Sequence, residues 1–363
     1  MTVIDERIRR TARRIVAKCA KVRAGEHVYI EGRLDSTEYL ELLAFECERL
    51  GATALMVPHS DAFAHRRLLE LPPEQLERTS RVQLEAARAA DVVFVVRMEL
   101  GDPMLFVDVA PEQEAAANRS RKPLFDLFFA GDRRWIGTDF PTPGQAAAFG
   151  LDYGAFSDMF WRSLDVDYGE LKRKADVLAA VLEGSRRVRI VSPKGTDVTL
   201  GIAGRPLDKD VGVVGGETNL SNLPAGEVCL APLEDQADGT VVFDLAFWNG
   251  RRVEDLEVRF ESGRAALVGA AREFEFVQRI VAASGAGADV IGELGIGINP
   301  AVGEPCGYTL TDEKILGTVH IALGDNEMLG GTNASSLHWD MMILRPTVEV
   351  DGRPVLTDGE WQL

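Results

Sequence analysis

An α/β fold in two domains is predicted by three patterns in this sequence of 363 residues. Apolar strand runs alternate with helical segments through about residue 140, a charged helical stretch follows, and short strands punctuated by turns fill the second half. We therefore expect a Rossmann-like α/β domain over residues 1–160, a connecting helix over 161–185, and a mixed α+β, barrel-like domain over 186–363. The length itself exceeds what one hydrophobic core usually supports.

The opening stretch, MTVIDERIRRTARRIVAKCAKV, mixes charges with its apolar residues, which predicts an amphipathic helix and no signal peptide, with the mature chain starting near Met1. Gly25 opens a turn into the strand HVYIEG. Ser36 or Thr37 is the expected N-cap of the helix STEYLELLAFECERLG, which Gly51 ends. TALMVP is the next strand, and a charged helix around PPEQLERTSRVQLEAARAA leads to DVVFVVRM, an apolar run of the kind buried on both faces of a parallel sheet. The first strand-to-helix turn, EGRLDST, lacks both the GxGxxG and the P-loop pattern, and GELGIG at Gly292 to Gly297 has the wrong glycine order. No nucleotide cradle is expected.

Ser157 to Gly184 reads as one long helix joining the domains. From RRVRIVSP onward the strands DVTLGIAG, GTVVFDLAFWNG, VEDLEVRFESG and PTVEVDGRPVLTDG follow, interrupted by the helix REFEFVQRIVAAS. There is no internal repeat.

Apolar residues make up 46% and charged residues 27%, an ordinary globular balance without a long apolar run, so no membrane partner is expected. A formal net charge of -17 repels phosphate backbones and argues against nucleic acid. The acidity suits a solubilising surface or a cation-binding protein. Cys19, Cys47, Cys229 and Cys306 lie scattered without CxxC pairing, which argues against disulfides and zinc thiolates and for a reducing cytoplasm.

His27, His59 and His65 have no carboxylate at ligand-like spacing and read as surface or packing residues. His320 and His338 differ, because they fall in the acidic, glycine-rich stretch GTVHIALGDNEMLGGTNASSLHWDMMI. In a strand, His338 and Asp340 leave from the same face, while Leu337, Trp339 and Met341 point away into packing. Glu293 in GELGIGINP and Glu227 in NLPAGEVCLAP are carboxylates in apolar settings, costly unless paired or bound to a cation. Three carboxylates and two imidazoles suit Zn, Mn, Co or Fe(II), and exceed the need of one tetrahedral ion. Two divalent metal ions about 3.5–4 Å apart, bridged by a carboxylate, are the economical interpretation.

NLPAGEV, GELGIG, GTVHIALG and SLHWDMMI together resemble the M29 peptidases, the aminopeptidase T family, over nearly the whole chain and most strongly from Arg186 to Leu363. The resemblance implies a dinuclear metal centre held by Glu227, Glu293, His320, His338 and Asp340, removal of N-terminal residues from small peptides or amides, and a homodimer. The family's tyrosine, seven residues after the first histidine, is replaced by Glu327, and the loop before His338 is short. A shorter loop implies a different substrate pocket. The 2,5-dihydroxypyridine dioxygenases resemble the family in fold but use one Fe(II) held by two histidines and an aspartate. That makes ring cleavage at His320, His338 and Asp340 the alternative, with a metal-binding protein lacking catalysis as a third reading.

For the hydrolase, Glu293 is the expected general base, accepting a proton from water and returning it to the leaving amine, with Glu227 as the residue that could exchange roles with it. Asp325 or Glu327 would recognise the substrate's α-amino group, and Asn333 would orient a ligand or fix its loop.

Overall fold

The computed structural model describes residues 5–98, 100–248 and 251–363; the first residues of the expected N-terminal helix and the Asn249–Gly250 end of GTVVFDLAFWNG lie outside them. The chain divides into two compact units, Met1–Asp165 with Gly212–Pro224, and Val166–Val211 with Ala225–Leu363. The strands are β1 (His27–Arg33), β2 (Thr53–His59), β3 (Val92–Val96), β4 (Arg134–Thr138), β5 (Arg187–Val191), β6 (Asp197–Gly201), β7 (Asp208–Asp210), β8 (Leu220–Asn222), β9 (Glu227–Leu230), β10 (Ala237–Trp248), β11 (Arg251–Glu261), β12 (Arg264–Gly269), β13 (Ile291–Gly297), β14 (Val319–Gly324), β15 (His338–Ile343), β16 (Thr347–Val350), β17 (Arg353–Thr357) and β18 (Glu360–Trp361).

In the first unit five strands form a parallel sheet in the order β2-β1-β3-β4-β8. Every residue of β3 is buried, as its unbroken apolar run requires. Tyr29, Val93, Val95, Leu124, Phe128 and Trp135 pack together on this sheet. With β1 between β2 and β3, the strand order is the second doubly wound arrangement and not the 3-2-1-4 order of a Rossmann sheet. The sequence shows alternation of strands and helices but not which side of β1 the third strand takes.

The expected helix Ser157–Gly184 is two helices, Tyr153–Leu164 in the first unit and Tyr168–Leu182 in the second. Asp167 makes the break: its backbone is extended and its carboxylate accepts from the N–H groups of Gly169 and Glu170, starting a new helix. The chain then returns to the first unit at Gly212–Pro224, where β8 joins β4.

The second unit is built on an antiparallel sheet in the order β18-β17-β16-β5-β6-β10-β15-β14-β13-β9-β7, with β11 on β10 and β12 on β11. An antiparallel bridge between Arg264 and Val290 joins β12 to the residue before β13. Hydrogen-bonded neighbours therefore run from β10 through β11, β12, β13, β14 and β15 and back to β10, curling the sheet on itself. The four cysteines are buried and outside any disulfide, and among the described residues no helix is long and apolar enough to cross a membrane.

Candidate metal centre

Four neighbouring strands of the second unit carry the candidate ligands. Glu293 on β13 is level with Ala322 on β14, which is level with Asp340 on β15. Two residues along, Gly295 is level with His320. Because side chains alternate along a strand and agree between antiparallel partners, Glu293, His320, His338 and Asp340 share one face. Glu227 at the start of β9 is level with Gly297 and joins them.

Gly295 makes the convergence possible. A Cβ there would stand 2.1 Å from both Cε1 and Nε2 of His320, so the imidazole lies in the space that the glycine leaves. His320 Nε2 is thereby 3.4 Å from Glu227 Oε2 and 3.4 Å from Glu293 Oε1. On the other side of Glu293, His338 Nε2 stands 3.2 Å from Oε2 and 3.6 Å from Asp340 Oδ1. His338 Nδ1 is 2.8 Å from the carbonyl oxygen of Asp325, which can only accept, so Nδ1 carries the proton and Nε2 is turned to the carboxylates.

Two groups result, Glu227–Glu293–His320 and Glu293–His338–Asp340, with the potential ligand atoms of each within 4.8 Å of one another and Glu293 common to both. The first group is buried, while His338 reaches the surface. Burial pushes Glu227 up against the pull of Lys314, and raises Asp340 to about 6. Burial would lower His320, but its contact with Glu293 and the charges of Glu227 and Asp340 outweigh this and raise it to about 9. For Glu293 the two histidines overcome burial and hold the carboxyl well below its usual range.

These residues fit divalent cations. Glu227 Oε2 and Asp340 Oδ1 are buried without a hydrogen-bond partner, a costly state for carboxylate oxygens that a cation would relieve. Cys229, two residues after Glu227, offers no competing thiolate, because burial and the neighbouring carboxylates push its thiol up.

Sequence reasoning missed the support beneath the cluster. Lys314 is fully buried, its ammonium 2.7 Å from Glu313 and 3.4 Å from Asp210, and it donates to Glu227 Oε1. It thereby turns Oε2 of Glu227 toward His320. In TDEKILG a single lysine between a carboxylate and an apolar run resembles any solvated residue, so only its position before the His320 strand hints at this role.

The three residues expected to meet substrate lie outside both groups. Asp325 accepts from the Ser335 N–H and acts on His338 through its backbone carbonyl. Asn333 donates to the carbonyls of Gly287 and Gly324 at 2.9 and 2.7 Å, which ties the loop together. Glu327 is exposed on the turn Glu327–Leu329.

Comparison with known proteins agrees with this architecture. The chain matches the family of thermophilic metalloproteases (M29) over residues 4–361. Aminopeptidase T of Thermus aquaticus is 25% identical, covering 99% of this chain and 100% of the relative. Aminopeptidase PepS of Streptococcus thermophilus is 24% identical, covering 98% of each. The structure of wild-type AmpT from Thermus thermophilus gives a TM-score of 0.84 at 24% identity over 99% of each chain. The 2,5-dihydroxypyridine dioxygenase of Pseudomonas putida KT2440 gives 0.70 at 17% identity over 98% of this chain and 96% of that one. At these identities the structural likenesses concern fold alone. Relatives and cluster together define a metal-dependent peptidase, and therefore an enzyme. The chain belongs to the thermophilic metalloprotease (M29) family.

Proposed function

We propose that the protein is an aminopeptidase-type hydrolase that uses two divalent ions, Zn, Co or Mn with Fe(II) also compatible, to cleave the N-terminal bond of a small peptide or amide. The observation that carries this reading is the pair of carboxylate–imidazole groups sharing Glu293. Glu227, Glu293 and His320 would hold one ion, and Glu293, His338 and Asp340 the second. Ions bound there supply Lewis acidity, polarising the scissile carbonyl and bringing the pKa of water toward about 7.

The chain's own residues do the rest. Lys314 fixes Glu227, and the Asp325 carbonyl fixes the ring of His338. Glu293, between the two histidines, borders both groups, so we assign it the proton transfer from water to the leaving amine as well as the shared-ligand role. Of the residues near the loop, exposed Glu327 has its carboxylate available for a substrate ammonium group, whereas Asn333 is spent on the loop. Four cysteines outside any disulfide suit a cytoplasmic setting, and a homodimer is proposed from the family resemblance. A single-iron, ring-cleaving reading would need His320, His338 and Asp340 around one ion, and among the described residues the two histidines fall in different groups.

The test is release of amino acids from a panel of peptides and amides with free N-termini. Metal-loaded protein is expected to release N-terminal residues in steps, chelated protein to be inactive, and Glu227→Ala to lose at least about 100-fold. Full turnover by Glu227→Ala or by the chelated protein overturns the reading.

A further inference from the structure

His338 opens β15, and its side chain is 39% exposed, where the other four candidate ligands are 12% exposed or less. A half-exposed imidazole turns about its last torsion unless a partner holds it. The partner here is the Asp325 carbonyl, 2.8 Å from Nδ1. The aim of Nε2 at Glu293 and Asp340 therefore depends on where the loop of residues 325–337, between β14 and β15, keeps Asp325.

Three hydrogen bonds join the two arms of this loop. The Asp325 N–H donates to the Leu337 carbonyl at 2.6 Å, the Asn326 N–H to the Asn333 carbonyl at 3.1 Å, and the Asn333 N–H to Asn326 Oδ1 at 2.8 Å. Asn326 is 1% exposed, and a Cβ on Gly331 would stand 2.2 Å from its Oδ1, so the loop closes tightly round this side chain. Its Nδ2 reaches outside the loop and donates to Glu234 Oε1 at 3.1 Å. Glu234 lies between β9 and β10, and the same oxygen accepts from the Thr332 N–H at 2.7 Å. Its other oxygen accepts from Arg205, which follows β6 and donates to the Gly330 carbonyl at 2.9 Å. One carboxylate thus grips the loop directly at Asn326 and Thr332, and through Arg205 at Gly330. The Arg205 and Glu234 side chains are only 10% and 21% exposed, which strengthens these charge-assisted bonds.

We propose that Glu234 is a positioning residue for the metal centre: by clamping the 325–337 loop it fixes the Asp325 carbonyl, and through that carbonyl the ring of His338. Glu234 belongs to neither ligand group, so it acts only through the loop. Without it the buried Asn326 amide loses an acceptor and Arg205 loses its counter-charge, and opening the loop to water is the way to satisfy both. The Glu227–Glu293–His320 group has no such dependence, because its members stand on β9, β13 and β14. The effect is therefore confined to the Glu293–His338–Asp340 group. Its consequence for metal rests on the two-ion reading above, whereas the hold on the His338 ring does not.

Two measurements on Glu234→Ala test this. In the metal-free protein, nuclear magnetic resonance follows the hydrogen-bonded Nδ1–H proton of His338, assigned by its absence from His338→Gln. The proton is expected in wild type and lost to solvent exchange in Glu234→Ala. Mass spectrometry and zinc titration then read the metal: Glu234→Ala is expected to keep one ion and to bind the second about 10–100-fold more weakly. Glu234→Gln leaves Oε1 to accept from Asn326 and Thr332 and is expected to retain both the proton and the second ion. Should Glu234→Ala fail to fold, Asn326→Asp sets a carboxylate against Glu234 and is expected to have the same two effects. A His338 proton that persists in the folded variant overturns the proposal, and so does a lost proton with metal binding unchanged. Fewer than two ions in wild type would count against the two-ion reading, while the His338 proton still decides whether Glu234 holds the ring.

Discussion

Lys314 shows how much one side chain can settle. With no exposed surface and three carboxylates around its ammonium, it is held charged well above the ordinary lysine range despite burial. It also keeps three acidic residues from being buried without a counter-charge. Asp312, two residues earlier, illustrates the opposite case. Burial pushes its carboxyl up to about 6, with the N–H groups of Cys306 and Gly307 pulling the other way. The folded chain then keeps a proton that the unfolded chain has released. The contribution of Asp312 to stability is therefore complete below about pH 3.8 and is lost as pH rises through about 6. Asp312→Asn removes that slope. In urea unfolding from about pH 4 to about pH 6.5 the variant is expected to lose up to about 3 kcal/mol less than wild type, and identical slopes would contradict the assignment. At this scale the sequence was legible where a carboxylate stood among glycine and apolar residues, as Glu227 and Glu293 do. It was not legible where the partner came from a distant part of the chain, as with Lys314 and Asp210.

At the scale of elements, the centre depends on register. Glu293, Ala322 and Asp340 lie level across three strands, and Gly295 leaves the room that His320 fills. Gly295→Ala places a methyl group 2.1 Å from the unshifted ring, so the imidazole must move. We expect the variant to keep its circular dichroism spectrum, bind metal about 10–100-fold more weakly and hydrolyse peptides about 100-fold more slowly. Unchanged metal affinity would contradict the packing argument. The strands that bear the ligands were readable because GELGIG, GTVHIALG and SLHWDMMI each alternate between a functional and a packing face. The helix break at Asp167 was not, since the residues on either side continue a helical pattern and only the capping hydrogen bonds reveal the new start. β8 escaped notice as well, being a three-residue strand formed by pairing with β4.

At the scale of the whole molecule, the antiparallel unit supplies every residue of the two candidate metal-holding groups. Alternating patterns in the first half and short strands in the second were enough to read two architectures from the sequence, but the return of Gly212–Pro224 to the first unit was not readable, because that excursion is recorded only in long-range pairing. A two-ion centre requires Glu293 to serve both groups at once. Metal content of the purified protein, measured by mass spectrometry alongside folded Glu293→Ala and His338→Ala variants, tests this directly. Two divalent ions per chain are predicted, one for each group, with both lost in Glu293→Ala and one lost in His338→Ala. A single ion in the wild type, or two ions retained by Glu293→Ala, would contradict it.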